Sequence, residues 1–596
     1  MQERKYKFRE LGYYDLKKNI SLPQFQRSLV WSKDQKNTFI STVKEGNPFG
    51  SILVHETMGK FEIIDGLQRF TTLKGYEESP EKYLDISVDK YPEISQIAKI
   101  IKNDLPTLNI EMLEKKIIDA IKTTLKEVSL SERRLVRFIR KNIVECYNDA
   151  IATSTNDAIE DLIEDMALSW QNEIDFKELT IPTIIYTGDG SDLPDIFEKL
   201  NTGGTKLSRY EVFASTWNSI KLIVDDEALL DYIEESYKKK SERTNLAISN
   251  YEEGIIKSTK EISLYELCFA FGKRIKDSCS VLFATYSDTE EDQVDSIGFT
   301  ALATILGIPL KKLATLNHKI NEKTNTENLM RLMDKIVHSF ISVESILRNY
   351  ISTVDNKVFT KFIESQVLSI VATYFNLHYH VNDDLTISHV NSSRIIKESF
   401  NKCMPYSYLY DIIAEYWAGS GDRKLAEELA KPIEDNRYVV FITKSKWETL
   451  LYEWMEGQIN KKVKNVSIEN KLFLNFICKT KLDWHNNQAK YDIEHIIPKK
   501  RIADKNIDVA VSAIGNLCLL PVRDNRAKKE ETVYEYLDRT TEISNINEEK
   551  ALSLYYPTRD ELSFIRTGSG FNADSYNHFL SDRNNYLIRK FLKLVR

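Results

Sequence analysis

Near the C-terminus, Glu494 and His495 stand side by side in YDIEHIIP, Asn516 follows inside IGNLCLL, and Asn525 comes nine residues later in VRDNRAKK. Hydrolysis of a phosphodiester needs few groups: a base near neutrality to activate water, and a divalent cation on the scissile phosphate and the departing oxygen. A histidine supplies the first, and carboxylate or carboxamide oxygens hold the second. Lys499, Arg526, Lys528 and Lys529 cluster around these residues and form a local basic patch suited to DNA phosphates. The plainer alternative is that Glu494-His495 ends a strand and the asparagines serve turns.

Two polar clusters near the N-terminus also break apolar patterning: Gln26-Arg27, ahead of Val30-Trp31, and Asp65-Gly66-Leu67-Gln68-Arg69. The second falls at a strand-to-helix turn. A helix N-terminus offers unpaired N–H groups and a positive dipole end, so Gly66, Gln68 and Arg69 could receive a phosphate, with Asp65 holding a metal or a base. Farther on, the loop Asn201-Thr202-Gly203-Gly204-Thr205 could approach a phosphate through backbone N–H groups, or serve as a plain helix–loop–helix connection. Trp31 could stack a base or fill the core. No GxxxxGK[ST] occurs, so nucleotide use would not involve a P-loop. His378-Tyr379-His380 has a spacing that could bind a metal from a strand, but no third ligand stands near it in sequence; His485, ten residues before His495, could line that site or serve the structure.

Local patterns indicate the elements that must position these residues. Ser32 and Gln35 form a capping box for a helix from Lys33 to Glu45, stopped at Gly46. SILVH (51–55) and FEII (61–64) read as a hairpin-like pair around Gly59, followed by the Asp65-Gly66 turn and a helical run from Leu67 to about Tyr76. From about 94 to 175, apolar residues recur at helical spacing (Ile117, Ile121, Leu125; Leu135, Phe138, Ile139), which predicts an all-helical insertion. IPTIIY (181–186) predicts a buried strand, and Ser208 with Glu211 caps a later helix. Residues 218–460 read as mostly amphipathic helix, with a lysine-rich loop at 238–240 and a glycine turn, GSGD, at 419–422.

A chain of 596 residues allows roughly four folding units. Its 20 glycines and 13 prolines argue against collagenous, linker-dominated or disordered architecture. The formal charge of −7 gives no global footprint for a polyanion partner, although a local basic cleft acts over a Debye length of about 8 Å. The six cysteines are scattered with no CxxC pair, which argues against a disulfide framework or a zinc knuckle and fits a reducing compartment. MQERKYKFRE has no apolar leader core, and no run of about 18 apolar residues exists, so a cytoplasmic location without a membrane is expected.

The C-terminal constellation resembles the HNH (ββα-metal) nuclease motif. That resemblance implies His495 as general base, Glu494 and Asn525 as ligands of one Mg²⁺ or Mn²⁺, and Asn516 as holder of the loop that orients His495. At the other end, LPQFQRSLVW, EGNPFGSILV, IIDGLQRFTTL and IFEKLNTGGTKLSRYEVFAS resemble the DGQQR-motif domain of GmrSD-type modification-dependent (type IV) restriction proteins and SspE-like phosphorothioate sensors. The GSGD turn and FLSDR near the C-terminus add to the likeness.

The resemblance implies an α+β, predominantly helical fold: a sensor domain at 1–220 with a ParB/sulfiredoxin-like α/β core and helical insertions, an α-helical connector at 221–435, and an HNH-type nuclease domain at 436–596. It implies that Gln26, Arg27, Asp65, Gly66, Gln68, Arg69, Asn201 and Gly204 sense a nucleotide, GTP foremost, or DNA. One departure stands out. Leu67 replaces the first Gln of the family motif and removes an amide, which bears on nucleotide choice and hydrolysis.

The expected function is an antiphage endonuclease acting on modified double-stranded DNA. The modification is left open between glucosylated hydroxymethylcytosine, hydroxymethylcytosine, methylcytosine and phosphorothioate. Two nicks opposite each other would favour a homodimer. The alternatives are a nuclease-inactive DNA- or nucleotide-binding regulator and an unregulated toxin nuclease.

Overall fold

The computed structural model describes residues 5–22, 31–57, 59–128, 130, 132, 134–145, 153–171, 174–188, 217, 220–249, 251–284, 291–351, 353–354, 357–358, 360–479, 491–540, 544, 546–565 and 570–595. It is α+β and mostly helical, as the sequence predicts. Gln26, Arg27, His485, the 201–205 loop and the Ser208 cap lie outside the described residues. Two compact units divide the chain: 1–219 with 230–260, and 220–229 with 261–596.

The first unit is built on a five-stranded mixed sheet. Its strands are β1 (Tyr6–Gly12), β2 (Ile20–Ser21), β3 (Ile52–Thr57), β4 (Lys60–Asp65) and β5 (Thr180–Tyr186), in the order β1-β5-β3-β4-β2. β1 runs antiparallel to β5, β3 parallel to β5, and β3–β4 is the predicted hairpin, with a bulge between Leu53 and Val54. α1 (Tyr13–Asn19) follows β1. α2 (Lys33–Lys44) begins at the reciprocal Ser32/Gln35 capping box, and α3 (Leu67–Glu78) springs from the end of β4. The predicted helical insertion is α4 (Glu93–Asp104), α5 (Ile110–Glu127), α6 (Leu135–Glu145) and α7 (Thr153–Gln171). Ile94, Ile97 and Ile101 meet Leu113, Ile117, Ile121, Ile139 and Trp170 there in a core of their own.

The predicted lysine-rich loop at 238–240 is corrected: these residues lie inside the helix Glu227–Thr244. Lysine is a good helix former, and Lys239 pairs with Glu235 one turn back at 2.7 Å, so nothing local breaks the helix.

The second unit is largely helical. Gly419, in the left-handed region, makes the predicted turn between the helices Arg394–Ile413 and Gly421–Leu429. Toward the C-terminus, the strands Tyr491–His495 and Leu517–Pro521 pair antiparallel and lead directly into the helix Val522–Lys528, which packs on both. The long helix Ala573–Leu592 closes the core beside them, through Tyr576, Phe579 and Leu580. Among the described residues, no single helix is long and apolar enough to cross a membrane.

Candidate functional site

The pairing register sets His495 opposite Leu517 and Glu494 opposite Cys518, so Glu494-His495 closes the first strand as predicted. Asn516 sits in the turn just before the return strand, fully buried. Its Oδ1 accepts from Ile497 N–H at 2.8 Å, and its Nδ2 donates to the carbonyls of Ile497 (3.1 Å) and Val511 (2.9 Å). Its own carbonyl accepts from Ile496 N–H at 2.8 Å. One carboxamide thus ties both ends of the 496–511 loop beside His495. Gly515 precedes it because there is no room for a side chain: a Cβ there would lie 2.9 Å from Asn584 Oδ1 and 2.9 Å from the Leu580 carbonyl.

His495 is anchored through Ser512. Ser512 Oγ lies 2.7 Å from the Lys464 carbonyl and 3.1 Å from His495 Nε2. A hydroxyl has one proton, and a carbonyl can only accept, so the serine donates to Lys464 and accepts from Nε2–H. The proton on Nε2 leaves Nδ1 with a lone pair. Burial, with the ammonium groups of Lys499 and Lys528, pushes the imidazole pKa down to about 4 against the opposing pull of Glu494. The ring is therefore neutral at physiological pH, with a lone pair on Nδ1 that can take a proton, but it is a weaker base than an ordinary imidazole.

Side chains alternate along a strand, so Asp492 and Glu494 share one side of it. They meet two residues three apart on the following helix: Asn525 Nδ2 donates to Asp492 Oδ2 at 3.4 Å, and Lys528 Nζ donates to Glu494 Oε1 at 3.1 Å. Asn525 is the fourth residue of this helix. Lys528, predicted as a phosphate contact, is corrected: its side chain is 1% exposed, and its ammonium also donates to the Glu531 carbonyl. A buried ammonium needs a counter-charge, and Glu494 provides it. Lys499, Arg526 and Lys529 are exposed.

The donor chemistry fits a hard divalent cation. Asn525 Oδ1 is buried without a hydrogen-bond partner and Glu494 Oε1 accepts from Lys528, so a divalent cation held here would draw on Asn525 Oδ1 and the second oxygen of Glu494. Among the described residues no group of three or more His, Cys, Asp or Glu is gathered for a metal, so the set would mix carboxylate and carboxamide. His378 is occupied otherwise: its Nδ1 lies 2.8 Å from the Tyr374 carbonyl and its ring stacks on Tyr374 at 4.3 Å.

In the first unit, Asp65 ends β4, and Gly66 caps α3 at φ +95°. Glycine is required twice there, because a Cβ would also lie 2.9 Å from Ile52 Cγ1. Arg69 Nη2 donates to Asp65 Oδ2 at 2.8 Å, the guanidinium lies against Gly50, and its Nε is buried without a hydrogen-bond partner. Gln68 is buried and its Oε1 accepts from Trp31 N–H at 3.2 Å. The Trp31 ring packs on Phe39 at 5.3 Å. Leu67 is 4% exposed and packs inward, so the amide missing from this position is replaced by core.

Sequence reasoning missed Ser512, the Lys464 carbonyl and Asp492. Asp492 carried a signal, its two-residue spacing from Glu494. Ser512 carried none, because its bond to His495 spans 17 residues.

Residues 10–218 match the family model described as "GmrSD restriction endonuclease, N-terminal domain". The match includes β4, Gly66 and Arg69. The likeness to GmrSD restriction endonucleases thus belongs to this N-terminal segment, 209 of the 596 residues. Among curated proteins, an uncharacterized protein of Methanocaldococcus jannaschii is 22% identical over 97% of this chain and 96% of its own length. No solved structure matches the chain.

Proposed function

We propose that the chain is a modification-dependent DNA endonuclease whose N-terminal unit senses modified DNA and a nucleoside triphosphate. Its strand–strand–helix segment at 491–528 nicks the DNA. The observation that carries this reading is the geometry at His495: a half-buried ring whose Nε2 is bonded to Ser512 Oγ, which itself donates to the Lys464 carbonyl, so that Nδ1 keeps its lone pair. A histidine that merely ended a strand would not call for a hydroxyl relay and a loop tied shut by Asn516.

His495 Nδ1 takes a proton from the water that attacks phosphorus. The P–O bond to the departing oxygen breaks, and that oxygen takes a proton from solvent. Glu494 and Asn525 would hold Mg²⁺ or Mn²⁺, which when bound supplies positive charge to the scissile phosphate and the leaving oxygen. Asn516 acts on the loop and not on the substrate. Exposed Lys499, Arg526 and Lys529 offer charge to neighbouring phosphates, while Lys528 neutralises Glu494 internally.

In the N-terminal unit, the Asp65–Arg69 pair at the head of α3, with its buried, unbonded Arg69 Nε, favours an anionic ligand over a purely structural turn. GTP is the triphosphate to test first. The alternative, an inactive regulator, is separated by plasmid incubation with Mg²⁺ or Mn²⁺, with and without GTP, on modified and unmodified DNA. An enzyme converts supercoiled plasmid to nicked circles; a regulator binds and leaves it supercoiled.

A further inference from the structure

Among the described residues β1 is the outer strand of its sheet, paired on one side only, and Lys5 to Glu10 are all exposed. Two of these residues are large aromatics: Phe8 is 71% exposed and Tyr6 is 44% exposed. Their rings stand on the same side of the strand, edge to face, 5.5 Å apart. Lys7 and Arg9 point to the other side and make no hydrogen bond or ion pair among the described residues. Lys5, Lys7 and Arg9 outnumber the carboxylate of Glu10, so this strand is locally cationic on a chain of net charge −7.

Charges alone on an edge strand are accounted for by the need to keep edges from pairing. Exposed aromatics are not, since they add an aggregation hazard. Pairing with a second copy is disfavoured by charge: in an antiparallel pair centred on Phe8, Lys7 of each strand would face Arg9 of the other. An occupant that covers the rings and welcomes the cations must be both planar and anionic. Unpaired nucleotides have that combination, with bases that stack on aromatic rings and phosphates that meet lysine and arginine. The sheet register gives the separation of this strand from the Asp65–Arg69 corner, across the buried Leu53. Phe8 pairs with Ile184, Ile184 with Leu53, and Leu53 with Asp65, a single row across four strands. Phe8 is therefore three strand spacings, about 14 Å, from the Asp65–Arg69 corner.

We propose that Tyr6 and Phe8 on β1, with Lys7 and Arg9, form a stacking surface for single-stranded or locally unpaired DNA. This rests on the reading of the chain as a DNA-acting protein. The test uses the full chain in EDTA, with a fluorescein-labelled 20-nucleotide oligothymidylate and a blunt 20-base-pair duplex as probes, read by anisotropy. Tyr6→Ala/Phe8→Ala should weaken oligothymidylate binding about tenfold or more while leaving the duplex affinity nearly unchanged. Lys7→Gln/Arg9→Gln should reduce the slope of log affinity against log salt by about 1.4. In the unsubstituted protein, an oligonucleotide carrying 5-iododeoxyuridine should photocrosslink to Tyr6 or Phe8, a result independent of any variant's folding. Unchanged oligothymidylate affinity in the aromatic double variant, or crosslinks confined to other segments, would overturn the surface. So would conversion of a dimer to a monomer with DNA affinity intact. If those results came with metal-dependent nicking preserved, the surface alone would fall; absence of both DNA binding and nicking would remove the underlying reading.

Discussion

Ser512 Oγ stands 3.1 Å from His495 Nε2 and 2.7 Å from the Lys464 carbonyl, and this chain of two bonds decides which nitrogen of the imidazole is free. Ser512 is a positioning residue in this account. Ser512→Ala should lower kcat for nicking about 10- to 100-fold, the range seen when an outer-shell partner of an active-site histidine is lost, with KM little changed. Ser512→Thr, which keeps the hydroxyl, should restore part of the rate. Equal losses in both variants, tracking a loss of folded protein, would make the serine merely structural.

Asn516 answers three backbone groups at once, two of them buried and the Val511 carbonyl part-buried. Replacing it by Ala leaves these groups unmet, at about 1–3 kcal/mol for each one that water cannot reach. Asn516→Ala should lower the melting temperature markedly, and Asn516→Asp, which keeps an acceptor for Ile497 N–H but has no amide donor, should fall between it and the parent. A melting temperature unchanged in Asn516→Ala would contradict the loop-tying role.

The depressed pKa of His495 has a stability consequence in metal-free protein. An unfolded histidine titrates near about 6.5, whereas the folded one titrates at about 4. Between these values the unfolded chain binds a proton that the native chain does not, so stability rises with pH and is lost as pH falls through the window. Melting curves in EDTA from pH 7 to 4.5 should show a steeper loss for the parent than for His495→Gln. Parallel losses would mean that the histidine is solvated.

These features differ in how far the sequence discloses them. The Ser32/Gln35 cap, the β3–β4 pair and the 491–495 and 517–521 strands are local, and residue order is enough to read them. The burial of Lys528 is not local. KK at 528–529 reads as surface, and only the fold of the helix onto the strand shows that one lysine of the two meets Glu494. Ser512 lies in a loop whose path is set by Asn516, so its neighbour could not be named beforehand. The lysine run at 238–240 failed for another reason, because charge was read as loop where helix propensity governs.

Arg69 is the direct handle on the sensor. Its guanidinium is held by Asp65 at 2.8 Å beside Gly50. Arg69→Ala in the full chain should weaken GTP binding, read by calorimetry, or abolish any GTP dependence of nicking, while basal metal-dependent nicking persists. Unchanged GTP affinity together with unchanged restriction of phages in cells would remove this corner from the account.

The central claim is that His495 is the base of a metal-dependent DNA nuclease. The most direct measurement is nicking of supercoiled plasmid in Mn²⁺ or Mg²⁺ by the purified full chain and by His495→Ala, with DNA binding and melting measured on both. The account predicts that the parent nicks, that EDTA stops it, and that His495→Ala loses about 10²–10⁴-fold in rate with binding and folding intact. Cleavage retained at the parental rate in His495→Ala would contradict it.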